Sequence, residues 1–321
     1  MSHLPIRIVL VCIVSATASV AVAQPSAEVT APPRAKVIEA WTESTQGLKS
    51  GRGEGRLRHV RIDVKTGKET AGGQWAVSIV FNTPRYRIEM RHVSADGKPE
   101  KEATEIAVCD GSYVACRRID PNRLRRGETV DVCRPADFPP AGLVGFPFTP
   151  TRFNWNVSAW LKTDSGWKFR TARDGTITAG LDKDLRTVTL LYRLTFRASD
   201  GFNLSRLSMN RDTLEGAGQD LELRWARKAE VWYVTAIQEG FFGTADKEKR
   251  LDRFAYTRFE PNARVEPGQF RLASLGIEQN ARIILHKVDG APNQIYEYRP
   301  SAERFESMDS ILKAVRTLPT R

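Results

Sequence analysis

Strand after strand of this chain carries an apolar residue at every second position, and that period limits what it can become. Trp75, Val77, Ile79 and Phe81 follow it. Pro84 resets the phase, after which Tyr86, Ile88 and Met90 hold the apolar side and Arg85, Arg87 and Arg91 the polar side. A repeat of two sends alternate side chains to opposite faces, one dry and one wet. Such runs belong to antiparallel sheets whose dry face must meet a partner. Strands are expected over 53–65, 70–82, 85–94, 102–109, 112–119 and 127–133. Thr66-Gly67-Lys68, Asp96-Gly97 and Asp110-Gly111 lie between them, and Asp-Gly between alternating runs marks a hairpin because the turn requires positive φ. A second series opens near Trp167. In it Val188, Leu190, Tyr192, Leu194 and Phe196 alternate without a break, followed by strands around 221–225, 232–236 and 251–259.

Helix is scarce. Residues 35–50 place Val37, Ile38, Trp41, Thr45 and Leu48 at helical spacing, with Gly51 expected to stop the helix. Residues 134–162 form an insertion dense in Pro, with Phe138, Phe146, Phe148, Trp155 and Trp160 among them. Proline at that density cannot join a sheet interior, and so many aromatics do not suit a solvated linker. The segment reads as a lid that docks on apolar surface, ending in a short helix over 153–162. Residues 267–276 read as a helical turn. The tail from 281 reads as an extension with one strand over 283–288 and an amphipathic helix bearing Met308, Ile311, Leu312 and Val315.

Residues 1–23 read as a cleavable export signal, with Arg7, a largely apolar stretch over 8–22, and Ala21-Val22-Ala23 before Gln24. The expected location is the periplasm. The chain carries 49 basic against 38 acidic residues, a net charge of +11. For an exported protein this points away from nucleic acid and toward anionic head groups, envelope polysaccharide, an acidic envelope protein, or plain solubility. Cys109, Cys116 and Cys133 follow the signal. Their odd number permits one disulfide, and Cys116 with Cys133 is the first choice across the loop at 120–127. No metal or cofactor is expected, since no Cys-x-x-Cys occurs and His59, His92 and His286 lack ligand spacing.

Three segments carry a family likeness. They are Phe81-Asn82-Thr83-Pro84-Arg85-Tyr86-Arg87-Ile88, then Asp110-Gly111-Ser112-Tyr113 with Asp120-Pro121 after it, and Pro261-Asn262-Ala263-Arg264-Val265-Glu266-Pro267-Gly268-Gln269-Phe270-Arg271-Leu272. In this order they resemble the outer-membrane lipoprotein carrier family, whose LolA-like fold is shared by RseB-like envelope-stress regulators. The closing segment is the best match, an Asn-containing strand end leading to a short turn and a buried phenylalanine. Thr83 stands where several carriers have a basic residue. Ala115, Cys116 and Arg117 stand where the family has aromatics. The resemblance implies a mainly β fold, an unclosed antiparallel half-barrel over 24–280 capped by an N-terminal helix and the lid segment, with 281–321 as an extension.

The resemblance also implies a use for the dry face. Trp41, Trp75, Val77, Ile79, Phe81, Tyr86, Ile88 and Met90 would line a cavity for the acyl chains of a lipid or lipoprotein, with Phe146, Phe148, Trp155 and Trp160 in the lid. The rival reading is a core packed against the helix that bears Trp41. Each buried methylene is worth about 0.8 kcal/mol, so a fifteen-carbon chain gains about 12 kcal/mol gross. Arg117, Arg118, Arg123, Arg125 and Arg126 crowd one hairpin as a patch for an anionic partner, or as a solvated charged loop. No nucleophile elbow or phosphate loop occurs, so the expected protein is a monomeric binding protein, not an enzyme, with peripheral membrane contact. An envelope sensor or interaction module is the alternative, and a cell-envelope hydrolase ranks last.

Overall fold

The structure is a computed structural model. It describes residues 34–101, 105–118, 128–133, 161–162, 165–185, 188–211, 218–242, 248–277, 281–285, 294–298 and 315–317. The expected signal segment lies outside these residues. So do Phe146, Phe148, Trp155 and Trp160 of the lid, and Arg123, Arg125 and Arg126 of the hairpin. Helix α1 (Arg34–Gly47) precedes a first meander of β1 (Ser50–Asp63), β2 (Glu69–Asn82), β3 (Arg85–His92), β4 (Glu105–Cys109), β5 (Val114–Arg118) and β6 (Thr129–Cys133). A second meander holds β7 (Lys168–Thr171), β8 (Ile177–Leu185), β9 (Val188–Arg197), β10 (Asn203–Arg211), β11 (Gly218–Lys228), β12 (Val231–Phe242) and β13 (Glu248–Pro261). The tail adds β14 (Arg282–Leu285), β15 (Gln294–Tyr298) and β16 (Val315–Thr317).

All of these strands belong to one sheet, in the order β16-β15-β14-β6-β5-β4-β3-β2-β1-β13-β12-β11-β10-β9-β8-β7. The terminal strands β16 and β7 do not pair, so the sheet is unclosed, and the chain is mainly β as expected. The two meanders run outward in opposite directions from one long seam, where β1 pairs antiparallel with β13 from Gly51↔Pro261 to Asp63↔Glu248. Every pairing is antiparallel except β14 on β6. The boundary expected at 280 thus falls inside one sheet, since β14 continues the first meander. Val315 lies in β16, not in a helix, while Met308, Ile311 and Leu312 lie outside the described residues. No helix among the described residues is long and apolar enough to cross a membrane.

The turns follow their chemistry. Asp110 Oδ1 accepts from the amides of Ser112 (2.7 Å) and Tyr113 (2.8 Å), beside Gly111 at φ 103°. At the first hairpin Asp63 Oδ1 does the same for Thr66 and Lys65, which with the Thr66 hydroxyl holds the Asp63 carboxyl below its ordinary range. Helix α1 ends at Gly47, one turn before the expected stop. Gly51 instead opens an alternating run in β1, where Gly51, Gly53 and Gly55 lie under aromatic rings. A Cβ on Gly53 would sit 2.5 Å from Tyr256, and one on Gly55 would sit 2.3 Å from Phe254 and 2.6 Å from the Ala255 carbonyl oxygen. Above this stripe Phe259 meets Tyr256 (4.6 Å between centroids), Tyr233 (4.9 Å) and Phe81 (6.3 Å).

The closing segment has the form the resemblance implied. Asn262, left-handed at φ 53°, accepts from the Lys49 amide and donates to the Gly47 carbonyl, each at 2.9 Å. It thereby ties the end of α1 to the end of β13. A 3-10 turn over Pro267–Phe270 then buries Phe270, and a second over Leu272–Leu275 buries Leu275 on the outer face of β4–β6.

Candidate functional site: the inner face of the sheet

The face of the sheet that looks toward α1 is apolar over most of its width. β2 and β3 place the expected stripes opposite one another, Val77↔Met90, Ile79↔Ile88 and Phe81↔Tyr86. All six are at most 3% exposed and belong to one cluster with Val37 and Trp41. The cluster runs on through Ala107, Cys109 and Val114 on one side and Phe254, Ile237, Leu223, Leu204, Leu194 and Ile177 on the other. The period-two reading therefore holds for β2 and β3 and for Tyr192, Leu194 and Phe196 of β9, whereas in β12 a register shift puts Ile237 on this face in place of Ala236.

Helix α1 lies over β10 and β12. The Trp41 indole meets Trp225 of β11 edge-on, 5.8 Å between centroids at 81°. The first meander's stripes on β2 and β3 are thus not the surface on which the helix rests most of its contacts. Leu161, at the end of the insertion, is fully buried in the same cluster, and its carbonyl accepts from the Arg34 guanidinium at the start of α1.

Trp75 continues the β2 stripe but is only half-buried. It stands between His59 (4.6 Å) and His92 (5.9 Å), edge to face with both. His59 is paired with Asp252, its directly opposite neighbour on β13, and Arg250 also reaches that carboxylate at 3.3 Å. Asp252 in turn lies opposite Glu239 of β12, and both carboxylates are about 6% exposed. Periodicity gave no warning of this polar rim, because its members come from four strands distant in sequence.

A second polar island interrupts the inner face at β4–β6. Arg118 reaches Glu105 (3.2 Å) and Asp131 (3.2 Å), and the Cys116 thiol lies 3.1 Å from the Glu105 carboxylate. Burial, and then the neighbouring Glu105 charge, push the Cys116 thiol well above its ordinary range. Burial pushes Cys109 up to about 11.

Two expectations change here. Cys116 and Cys133 form no disulfide, and Cys109, Cys116 and Cys133 are all buried thiols. The register explains it. Cys116 faces Asp131 and Cys133 faces Val114, so the two thiols are diagonal neighbours, with Cα atoms roughly 7–8 Å apart, beyond the usual reach of a disulfide. Nor do Arg117 and Arg118 share a patch. Consecutive strand residues point to opposite faces, and Arg117 turns outward to Glu128 (2.7 Å) and the Leu275 carbonyl (2.9 Å). Both described arginines of that hairpin already hold protein carboxylates. No group of three or more His, Cys, Asp or Glu among the described residues could hold a metal ion.

No family model matches this chain, and no curated protein does. Among solved structures it is similar to a DUF1329 family protein from Desulfovibrio piger ATCC 29098, with TM-score 0.39 and 10% identity over 77% of this chain and 100% of that one. It is also similar to a putative outer membrane lipoprotein-sorting protein domain from Vibrio parahaemolyticus, with TM-score 0.33 and 8% identity over 76% of this chain and 100% of that one. Neither likeness assigns a residue or an activity here.

Proposed function

We propose that the protein is an exported, periplasmic binding protein that holds a hydrophobic ligand, the acyl chains of a lipid or lipoprotein, on the inner face of its sheet. The observation that carries this reading is the division of labour on that face. Helix α1 lies over β10 and β12, while the directly opposed apolar pairs of β2 and β3 carry the same buried cluster on to strands beyond those two. An unclosed sheet can part at its open side without breaking a strand pair, which suits uptake and release. The polar rim around Asp252 and the island around Arg118 bound the apolar zone and supply polar contacts where a ligand's head group would end. The sequence resemblance to lipoprotein carriers agrees with this use, and no reaction is assigned.

The test is lipid recovery. Protein purified without detergent from membrane-containing cells is measured by native mass spectrometry, then extracted with organic solvent. Adduct masses that vanish on extraction and reappear as acyl lipid are expected. Replacing Ala107, fully buried on β4 of the inner face, by Phe should lower the bound fraction. A chain that is always ligand-free, and that takes up no fluorescent fatty acid after extraction, rules the reading out.

A further inference from the structure

We infer that the outer face of β3–β2–β1–β13–β12–β11, the side away from α1, docks on an anionic bilayer surface. The register lines up two rows across these strands. The first runs Arg91, Ala76, Arg56, Ala255, Ala236, Arg224. The second runs Gln74, Arg58, Arg253, Gln238, Glu222, and ends at Arg206 of β10. None of these twelve residues is buried. Arginine is the only large side chain among them apart from glutamine and a single glutamate, so guanidinium groups stand up from a low floor of alanine.

Half of the six arginines are already engaged. Arg91 holds Glu89 at 2.9 Å, Arg253 holds Glu69 at 2.6 Å, and Arg206 lies 3.8 Å from Asp220. Arg56, Arg58 and Arg224 have no ion-pair partner among the described residues. Arg58 also stands directly opposite Arg253 on β13, a like-charge pairing that weakens a sheet and is relieved by an anion between the two. From Arg56 to Arg224 is three strand spacings, about 14 Å, longer than the Debye length of about 8 Å at physiological salt. The array therefore acts as several phosphate contacts spread over a surface, not as one pocket.

The composition of the rows selects the partner. Protein interfaces depend on aromatic or aliphatic anchors buried at their centre, and the largest apolar residue here is alanine. Single-stranded nucleic acid is held largely by aromatic stacking, and neither row has an aromatic ring. A layer of phosphate head groups requires neither, only forked cations at intervals. The inference is independent of any ligand on the inner face.

Co-sedimentation of the full chain with vesicles tests it. Phosphatidylcholine vesicles are compared with an equal mixture of phosphatidylcholine and phosphatidylglycerol. Attachment through the apolar stretch at 8–22, in chains that retain it, is common to both, so the readout is the difference between them. Stronger binding to the anionic vesicles is expected, lost in about 1 M salt, where the Debye length falls to about 3 Å. The triple variant Arg56→Gln, Arg58→Gln, Arg224→Gln should weaken the anionic component on the order of a hundredfold, at about fivefold per arginine. A control that neutralises Lys65, Lys68 and Arg173 in exposed turns should leave most of it. Equal loss in the control, no loss in the triple variant, or binding to a soluble polyanion without binding to anionic vesicles would each overturn the inference.

Discussion

Replacing Arg118 with Met separates charge pairing from packing at the inner face of β4–β6. Methionine keeps an unbranched apolar stem but leaves Glu105 and Asp131 without the guanidinium that lies 3.2 Å from each. At an effective dielectric constant of about 20, each such contact is worth about 5 kcal/mol of Coulomb energy before desolvation is subtracted. Breaking a buried pair typically destabilises by about 3–5 kcal/mol. The Arg118 side chain is 29% exposed and the two carboxylates 11%, so water recovers part of the loss and about 3 kcal/mol is expected at pH 7. Adding Glu105→Gln and Asp131→Asn to the variant should recover most of it at neutral pH. The assay is urea unfolding followed by tryptophan fluorescence at neutral pH. A loss below about 1 kcal/mol, the ordinary worth of an exposed pair, or no recovery from the two added substitutions would refute the argument.

Three further outcomes follow from the geometry. Cys109 keeps its proton in the folded chain up to about 11, whereas the unfolded thiol releases it near 9.0. Stability should therefore fall as pH rises through that window, by about 2–3 kcal/mol; Cys109→Ala should flatten the alkaline limb of a melting-temperature profile, and an unchanged limb would sink the assignment. Asn262→Ala removes the side-chain bonds to Lys49 and Gly47 and leaves a Cβ residue at φ 53°, which should lower stability by about 2 kcal/mol; a loss under about 0.5 kcal/mol by chemical unfolding would show that α1 is held elsewhere. Gly55→Ala meets the Ala255 carbonyl oxygen at 2.6 Å, while Gly47→Ala meets nothing within 4 Å, so thermal melts should show a loss of about 3 kcal/mol for the first and almost none for the second; equal melting temperatures would contradict the close packing of the stripe.

What could be read from the sequence was what period two and turn chemistry encode. The β2 and β3 stripes are opposed as their phases required, and Asp110-Gly111, Asp96-Gly97 and Thr66-Gly67 sit in the turns they announced. The helix end is hidden because Gly51 resembles a stop signal, whereas its alternation with Arg52 and Gly53 is a strand whose inward side chains are hydrogen atoms, invisible to a count of apolar residues. Arg117 and Arg118 are adjacent in sequence, but neighbours on a strand face opposite ways. Cys116 and Cys133 lie on adjacent strands, but the register makes them diagonal neighbours. The Asp252 rim and the outer arginine rows depend on the β1–β13 seam, a pairing of residues about two hundred positions apart that leaves no local trace. β14 on β6 is hidden for the same reason.

That seam also fixes an order of events. During synthesis β1 can pair at once with β2, but its other edge waits until residues 248–261 have emerged. Until then Gly51 to Asp63 presents an open row of backbone donors and acceptors beside exposed aromatic and aliphatic side chains, the kind of edge that recruits a neighbouring chain. The nascent polypeptide therefore carries an association-prone edge for most of its elongation, and a fragment truncated before residue 248 should form aggregates instead of a soluble half-sheet.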